Sequence, residues 1–339
     1  MAKQSLAVKY RPLDFSSLTE QSAIKNILEN QIRTRTFQHG YLFTGPSGTG
    51  KTTSARIFAS MINDGKGNPI EVDAASNSGV DNIRQIIEDA KRKPLDAEYK
   101  IFIVDECHSL SDSSWQALLK TLEEPPKFTI FIFCTTNPEK IPPTILSRVQ
   151  RYNFQKISNE GIVNRLISII KKENDVSNIH YDIDAMEYIA KVCNGGMRDA
   201  ITLLDKCLSL SHDLTLENVL KTIGSEDYST FITFLSALEG KEKEISIKVI
   251  EDVYNAGKDV KQFMKDFAKF VLEVEKYALY KNFDYISLPN TLENELEQLI
   301  NDSLFDVMDF VVSLNNQIKW ENDSKTLIEL SILIYCGKE

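Results

Sequence analysis

The stretch Tyr41-Leu42-Phe43-Thr44-Gly45-Pro46-Ser47-Gly48-Thr49-Gly50-Lys51-Thr52 decides the fold. Its first four residues form a short apolar run suited to a buried strand, and the next eight match G-x-x-x-x-G-K-[ST] in full. Glycines let the backbone curl so that its N–H groups converge on phosphate oxygens at the positive end of the helix that follows. Lys51 adds a point charge at the β- and γ-phosphates, the Thr52 hydroxyl can ligate Mg²⁺, and Thr53 follows in the same first helical turn. Strand, loop and helix together make a fortuitous glycine turn a poor explanation of the match.

Outward from this loop, Lys100–Val104 (KIFIV) and Thr129–Cys134 (TIFIFC) are unbroken apolar runs, as strands buried on both faces require. Ser114–Leu122 lies between them and reads as a helix ended by Pro125 and Pro126. Alternating strands and helices over about 155 residues predict an α/β unit with a parallel sheet. Asp105 and Glu106 close the strand KIFIV. Adjacent acids after a strand are often a solvated turn. Beside a phosphate loop, Asp105 is expected to serve Mg²⁺ and Glu106 to orient and polarise an attacking water. His108 reads as a capping or packing residue.

From about Ser158 the pattern is helical throughout. Expected helices run through Ile162–Ile170, Ala185–Val192 (stopping at Gly195-Gly196), a segment starting near Met197, and Leu216–Ile223. Further amphipathic stretches follow at 227–239, 245–256, 259–281, 291–300, 302–318 and 325–335. Phe263, Phe267, Phe270 and Tyr277 recur at helical spacing and read as core. The predicted organisation is an α/β core at 1–156, a small helical unit at 157–224 and an all-α unit at 225–339.

Net charge is −10 over 339 residues, but its distribution is uneven. Residues 225–339 hold 12 Lys and no Arg against 22 Asp plus Glu, whereas residues 1–224 balance 27 bases against 27 acids. Phosphate chemistry therefore belongs in the first two-thirds, and the acidic last third is a poor place to hold DNA. No apolar run is long enough for a membrane span or a signal peptide. The five cysteines are scattered, which supports neither a zinc site nor a disulfide framework and suits a cytoplasmic protein.

Lys9-Tyr10-Arg11-Pro12, Val72–Ala75 (VDAA), Leu118–Pro126 (LLKTLEEPP), Ile145-Leu146-Ser147-Arg148 and Gly196-Met197-Arg198-Asp199-Ala200 occur in that order. With the phosphate loop and Asp105-Glu106, they resemble the gamma/tau subunits of the bacterial replicative clamp loader, a family of AAA+ ATPases. The similarity is good over residues 6–224 and much weaker beyond. It implies a P-loop AAA+ core, a helical lid and an all-α oligomerisation collar, with ATP and Mg²⁺ as ligands. By position, Thr136 matches sensor 1, which helps hold the attacking water. Arg148 matches the arginine finger that enters a neighbouring subunit's site, and Arg198 matches sensor 2. Tyr10, Arg11 and Pro12 match the segment beside the adenine. A permanently charged planar donor suits the charge that develops on a transferring phosphoryl group. As surface residues, both arginines would instead form ordinary salt bridges.

Two departures stand out. The four-cysteine zinc module usual in the family is replaced by Met61–Pro69, which has no cysteine, so no zinc is predicted. Val149 follows Arg148 where the family normally has Cys. The resemblance also implies a pentameric ring with other clamp-loader subunits, a sliding clamp and primer-template DNA as partners. Candidate DNA contacts are Ser76, Asn77 and Ser78 with Arg84, and Ser111–Ser114 including Ser113. Hydroxyls and helix N-termini hold phosphates there, although ordinary N-caps use the same residues. Lys91-Arg92-Lys93 reads as a solvated helix end. With the last residue at Glu339, the long polymerase-binding tail of a tau form is not expected. Two other functions fit the motifs less well. A branch-migration type of AAA+ motor would want a basic winged-helix domain at its C-terminus, and a non-hydrolysing structural ring member would usually carry a broken P-loop.

Overall fold

The computed structural model of the protein describes residues 4–174, 178–223, 228–301, 303–321 and 323–337. Contacts divide it into two compact units, Met1–Leu214 and Thr215–Glu339. Gly224 and Ser225, which flank the expected start of the C-terminal unit, lie outside the described residues; the observed division falls at Leu214/Thr215.

The first unit is built on a five-stranded parallel sheet of β1 (Gly40–Thr44), β2 (Ile70–Asp73), β3 (Lys100–Asp105), β4 (Thr129–Thr135) and β5 (Gln150–Asn153), in the order β2-β3-β4-β1-β5. Every residue of β1 and β4 is buried. Alternation sends Tyr41, Phe43, Ile101, Ile103, Ile130 and Ile132 into one apolar layer. Leu42, Phe102, Val104, Phe131 and Phe133 go into the other. A central parallel strand is apolar at every position for this reason, since helices cover both faces. One layer is closed by α2 (Ser22–Thr34) and α3 (Lys51–Ile62), and the other by α4 (Val80–Ala90), α5 (Asp112–Glu123) and α6 (Pro143–Leu146). The edge strands β2 and β5 carry polar, partly exposed residues, and the sequence pattern did not flag them.

The same unit continues into three helices, α7 (Asn159–Glu173), α8 (Ile183–Val192) and α9 (Met197–Leu210). A two-stranded parallel ribbon joins β6 (His180–Tyr181) to β7 (Asp213–Leu214). The helices bury Ile162, Leu166, Ile169, Ile170, Ile189 and Leu204. The N-terminal helix α1 (Leu6–Lys9) packs on α9, where the Leu6 N–H donates to Asp205 at 3.0 Å.

The second unit is all α: α10 (Leu216–Ile223), α11 (Tyr228–Glu239), α12 (Lys243–Asn255), α13 (Val260–Tyr280), α14 (Glu293–Gln298), α15 (Leu304–Ile318) and α16 (Ser324–Gly337). These agree with the sequence expectation to within a few residues. The predicted aromatics Phe263, Phe267, Phe270 and Tyr277 are buried, and the Phe234 and Phe267 rings lie 4.6 Å apart. Among the described residues of the chain, no helix is long and apolar enough to cross a membrane. All five cysteines are free thiols.

Candidate nucleotide site

The strand order explains the site. β4 lies between β1 and β3, so the C-terminal ends of three parallel strands come together at one edge, where ligands bind in open α/β sheets. β1 delivers the loop Gly45–Lys51, β3 delivers Asp105 and Glu106, and β4 between them delivers Thr135 and Thr136. A cavity of about 300 Å³ opens there. Its lining includes Ser47–Thr53, Asp105, Glu106 and Arg198, together with Tyr10, Arg11 and Pro12.

Gly50 is the N-cap of α3 and has φ +100°, a backbone conformation that suits glycine. No side chain caps this helix, so the N–H groups of its first turn are left for an external acceptor. Gly48, at φ +72°, has a second role. Its carbonyl accepts the Met197 N–H at 3.0 Å, and a Cβ added to it would stand 3.0 Å from Gly196 Cα. The phosphate loop and the first turn of α9 thus touch backbone to backbone. Lys51 is buried; its ammonium donates to the carbonyls of Gly45 at 2.9 Å and Pro46 at 2.8 Å, and burial lowers its pKa. The Thr49 hydroxyl donates to Pro46 O at 2.9 Å, which braces the loop.

The Thr52 hydroxyl donates to Asp105 Oδ2 at 2.8 Å. Two oxygens so close, at the mouth of a loop whose N–H groups await an anion, fit a hard divalent cation bound between protein and phosphate. Thr52 and Asp105 would hold it. Glu106 stands beyond the end of β3 at φ +46° and lines the cavity, and the Thr136 hydroxyl donates to its Oε2 at 3.0 Å. His108, expected as a capping or packing residue, hydrogen-bonds Thr135 Oγ1 through Nδ1 at 3.1 Å, and the same nitrogen stands 3.2 Å from Glu106 Oε2.

Arg198 projects from the start of α9 and lines the cavity. Arg148 does not line it. Its guanidinium bonds Glu123 at 2.5 Å, the Thr144 carbonyl at 2.6 Å and Ser147 Oγ at 3.0 Å. The Tyr10 hydroxyl donates to Glu173 at 2.5 Å, while Arg165 donates to the Tyr10 carbonyl at 2.7 Å. The sequence reading missed Arg165, and also Ala7, Leu18, Ile157, Met197 and Ile201, which add apolar side chains to the cavity lining. It also missed Arg56, which lines the cavity and pairs with Glu71 at 2.5 Å. A cation at Arg165, set among Ile162, Val163 and Leu166, was the available signal.

Ser76, Asn77, Ser78, Arg84 and Ser113 lie elsewhere. Ser76 and the backbone of Ala75 and Asn77 fold onto Asp73. The Ser114 hydroxyl donates to the Ser78 carbonyl at 2.9 Å, joining the approaches to α4 and α5. Ser111 caps α5, Ser113 bonds Ser111, and Arg84 pairs with Asp81.

Residues 69–158 match the family described as DNA polymerase III, delta subunit, and residues 161–213 match the DNA polymerase III clamp loader subunit, ATPase lid domain. The chain is 35% identical to the DNA polymerase III subunit gamma of Buchnera aphidicola subsp. Baizongia pistaciae, over 74% of this chain and 73% of that one. The chain belongs to the DNA polymerase III gamma/tau clamp-loader family. With the DNA polymerase III subunit tau of Bacillus subtilis, identity is 33% over 99% of this chain. This family member spans 64% of the Bacillus relative's length and 50% of the Mycoplasma genitalium gamma/tau subunit's. Among solved structures, the Thermotoga maritima RuvB Holliday junction branch migration motor superposes with a TM-score of 0.50 at 21% identity, covering 68% of this chain and 79% of that one. At that identity the likeness speaks for the AAA+ fold alone.

Proposed function

We propose that this clamp-loader family member binds ATP with Mg²⁺ and hydrolyses it to ADP and phosphate within a ring of clamp-loader subunits. ATP binding would organise the ring around an open sliding clamp, and primer-template DNA would trigger hydrolysis and release of the closed clamp. One observation carries this reading. An intact phosphate loop, the Thr52–Asp105 oxygen pair, Glu106 with Thr136, and a lid arginine converge on one cavity.

Ser47–Thr53 cradle the phosphates with Lys51 as their counter-charge, and Thr52 and Asp105 hold Mg²⁺, which neutralises triphosphate charge. Glu106 orients and polarises the attacking water with Thr136 beside it, and Arg198 reaches the γ-phosphate from the lid. Tyr10, Arg11 and Pro12 flank the base, with the apolar lining residues of the cavity. Arg148, which lies off its own chain's cavity, would complete the next subunit's site. Residues 1–156 act as the AAA+ core, 157–224 as the lid and 225–339 as the collar. DNA would run past the paired helix starts at Ser76–Ser78 and Ser113, with Arg84 nearby.

The test is ATP turnover of the reconstituted complex with and without clamp and primer-template DNA. Joint stimulation by both, abolished by Lys51→Ala, is expected. Turnover indifferent to clamp would count against clamp loading, and turnover indifferent to Lys51→Ala would remove this chain from the chemistry.

A further inference from the structure

We infer that His108 is a positioning residue for ATP hydrolysis: its imidazole, hydrogen-bonded through Nδ1 to the end of β4, stands against one carboxylate oxygen of Glu106 and confines that side chain. The inference deepens the proposed function and rests on its assignment of Glu106 to the attacking water.

The geometry has three parts. First, Glu106 lies in the left-handed backbone region at φ +46°, which is strained for a residue with a Cβ. Strain of this kind persists only where its surroundings hold it. The turn is closed by the Ser109 N–H donating to Glu106 O at 2.9 Å, and it swings His108 back toward the Glu106 side chain. Second, two groups meet the same oxygen: Thr136 Oγ1 lies 3.0 Å and His108 Nδ1 3.2 Å from Glu106 Oε2. The hydrogen bond of Nδ1 goes to Thr135, and its 3.2 Å approach to Oε2 is a close contact beside that bond, which bars the carboxylate from swinging toward the imidazole. The other carboxylate oxygen, Oε1, has no hydrogen-bond partner among the described residues and is left for the water. Third, the imidazole is itself anchored. Nδ1 is 3.1 Å from Oγ1 of Thr135, the fully buried last residue of β4, and that hydroxyl also accepts the Asn137 N–H at 3.0 Å. His108 does not line the cavity, whereas Glu106 does. It therefore acts on the reaction through Glu106 alone.

A carboxylate on one rotatable stem, 37% exposed, would otherwise sample several rotamers. Locking it matters because proton transfer and water orientation need hydrogen-bond reach, and a misplacement near 1 Å can cost about 10²-fold.

The experiment measures kcat for ATP hydrolysis and nucleotide affinity in the assembled complex carrying His108→Ala, His108→Asn, His108→Gln or Glu106→Gln. His108→Ala is expected to lower kcat about 10-fold, with ATP affinity and melting temperature unchanged. His108→Asn, whose amide nitrogen can occupy the place of Nδ1, should restore most of the rate. His108→Gln, which reaches toward the place of Nε2, should not. Normal or raised kcat in His108→Ala, or a loss shared equally by nucleotide binding, overturns the positioning role. So does equal behaviour of the Asn and Gln variants. Glu106→Gln separates the two levels: if it abolishes turnover while His108→Ala is silent, only the inference fails. If Glu106→Gln is itself silent, the reading of Glu106 fails with it.

Discussion

The two units use similar apolar material to different ends. In the first, Phe43, Phe102, Phe131, Phe133 and Ile132 fill both faces of a sheet, and its C-terminal edge is left to Gly48, Gly50, Lys51, Asp105, Glu106 and Thr136. In the second, Phe231, Phe234, Phe263 and Phe267 fill one helical core, and every residue lining the nucleotide cavity lies outside that unit. A parallel sheet collects strand ends, and thus polar groups, at one edge; a helical bundle has no such edge. The contrast predicts that substitutions in the first unit can remove chemistry without unfolding, while core substitutions in the second unfold without touching chemistry.

The largest expected effect is at Arg148. Arg148→Ala should lower turnover of the assembled complex by about 10³-fold or more, the scale set by arginine fingers. Only exposed bonds to Glu123 and the Thr144–Ser147 turn are lost, so urea unfolding of the isolated chain should be nearly unchanged. Next comes Phe267→Ala, which should destabilise the second unit by about 3–5 kcal/mol in denaturant unfolding. ATP binding by the first unit should persist at denaturant concentrations where the second has melted; a joint loss would break the contrast. Gly48→Ala sits between the two kinds of effect. A left-handed backbone and the 3.0 Å approach to Gly196 both oppose a methyl group. Nucleotide affinity should fall about 10-fold to 100-fold, equivalent to roughly 1–3 kcal/mol of strain, measured by titration with a fluorescent ATP analogue. The smallest effect should be Arg84→Ala, an exposed residue that pairs with Asp81. Primer-template affinity should fall less than about 10-fold, with the salt slope reduced by about one unit.

How much of this was legible follows from the same physics. β1, β3 and β4 were visible because burial on both faces leaves an unbroken apolar run, and the phosphate loop because its glycines and lysine are local in sequence. β2 and β5 were hidden because edge strands bury only part of themselves: Gln150–Asn153 buries Tyr152 alone. The helix α2 passed unassigned and α4 was marked only at its ends, the polar faces outweighing stripes such as Ile24 and Leu28. Within the site, Asp105, Glu106 and Arg198 announced themselves by motif. Arg165, Ile157, Met197 and Ile201 enter the cavity only when the lid helices fold back over residues more than 100 positions earlier, and no local pattern records that closure. The neighbours of His108 were hidden for a related reason. Its partner Thr135 lies 27 residues away, on a strand whose place in the sheet the sequence alone did not reveal.

The most direct test of a site shared between subunits is complementation. Complexes would be assembled with Arg148→Ala chains, with Lys51→Ala chains, or with an equal mixture, and ATP turnover measured with clamp and primer-template DNA present. Each variant alone should be nearly inactive. The mixture should recover a substantial fraction of wild-type turnover, because an intact phosphate loop on one subunit then meets an intact Arg148 on its neighbour. A mixture no more active than either variant alone, or Arg148→Ala complexes as active as wild type, would contradict it.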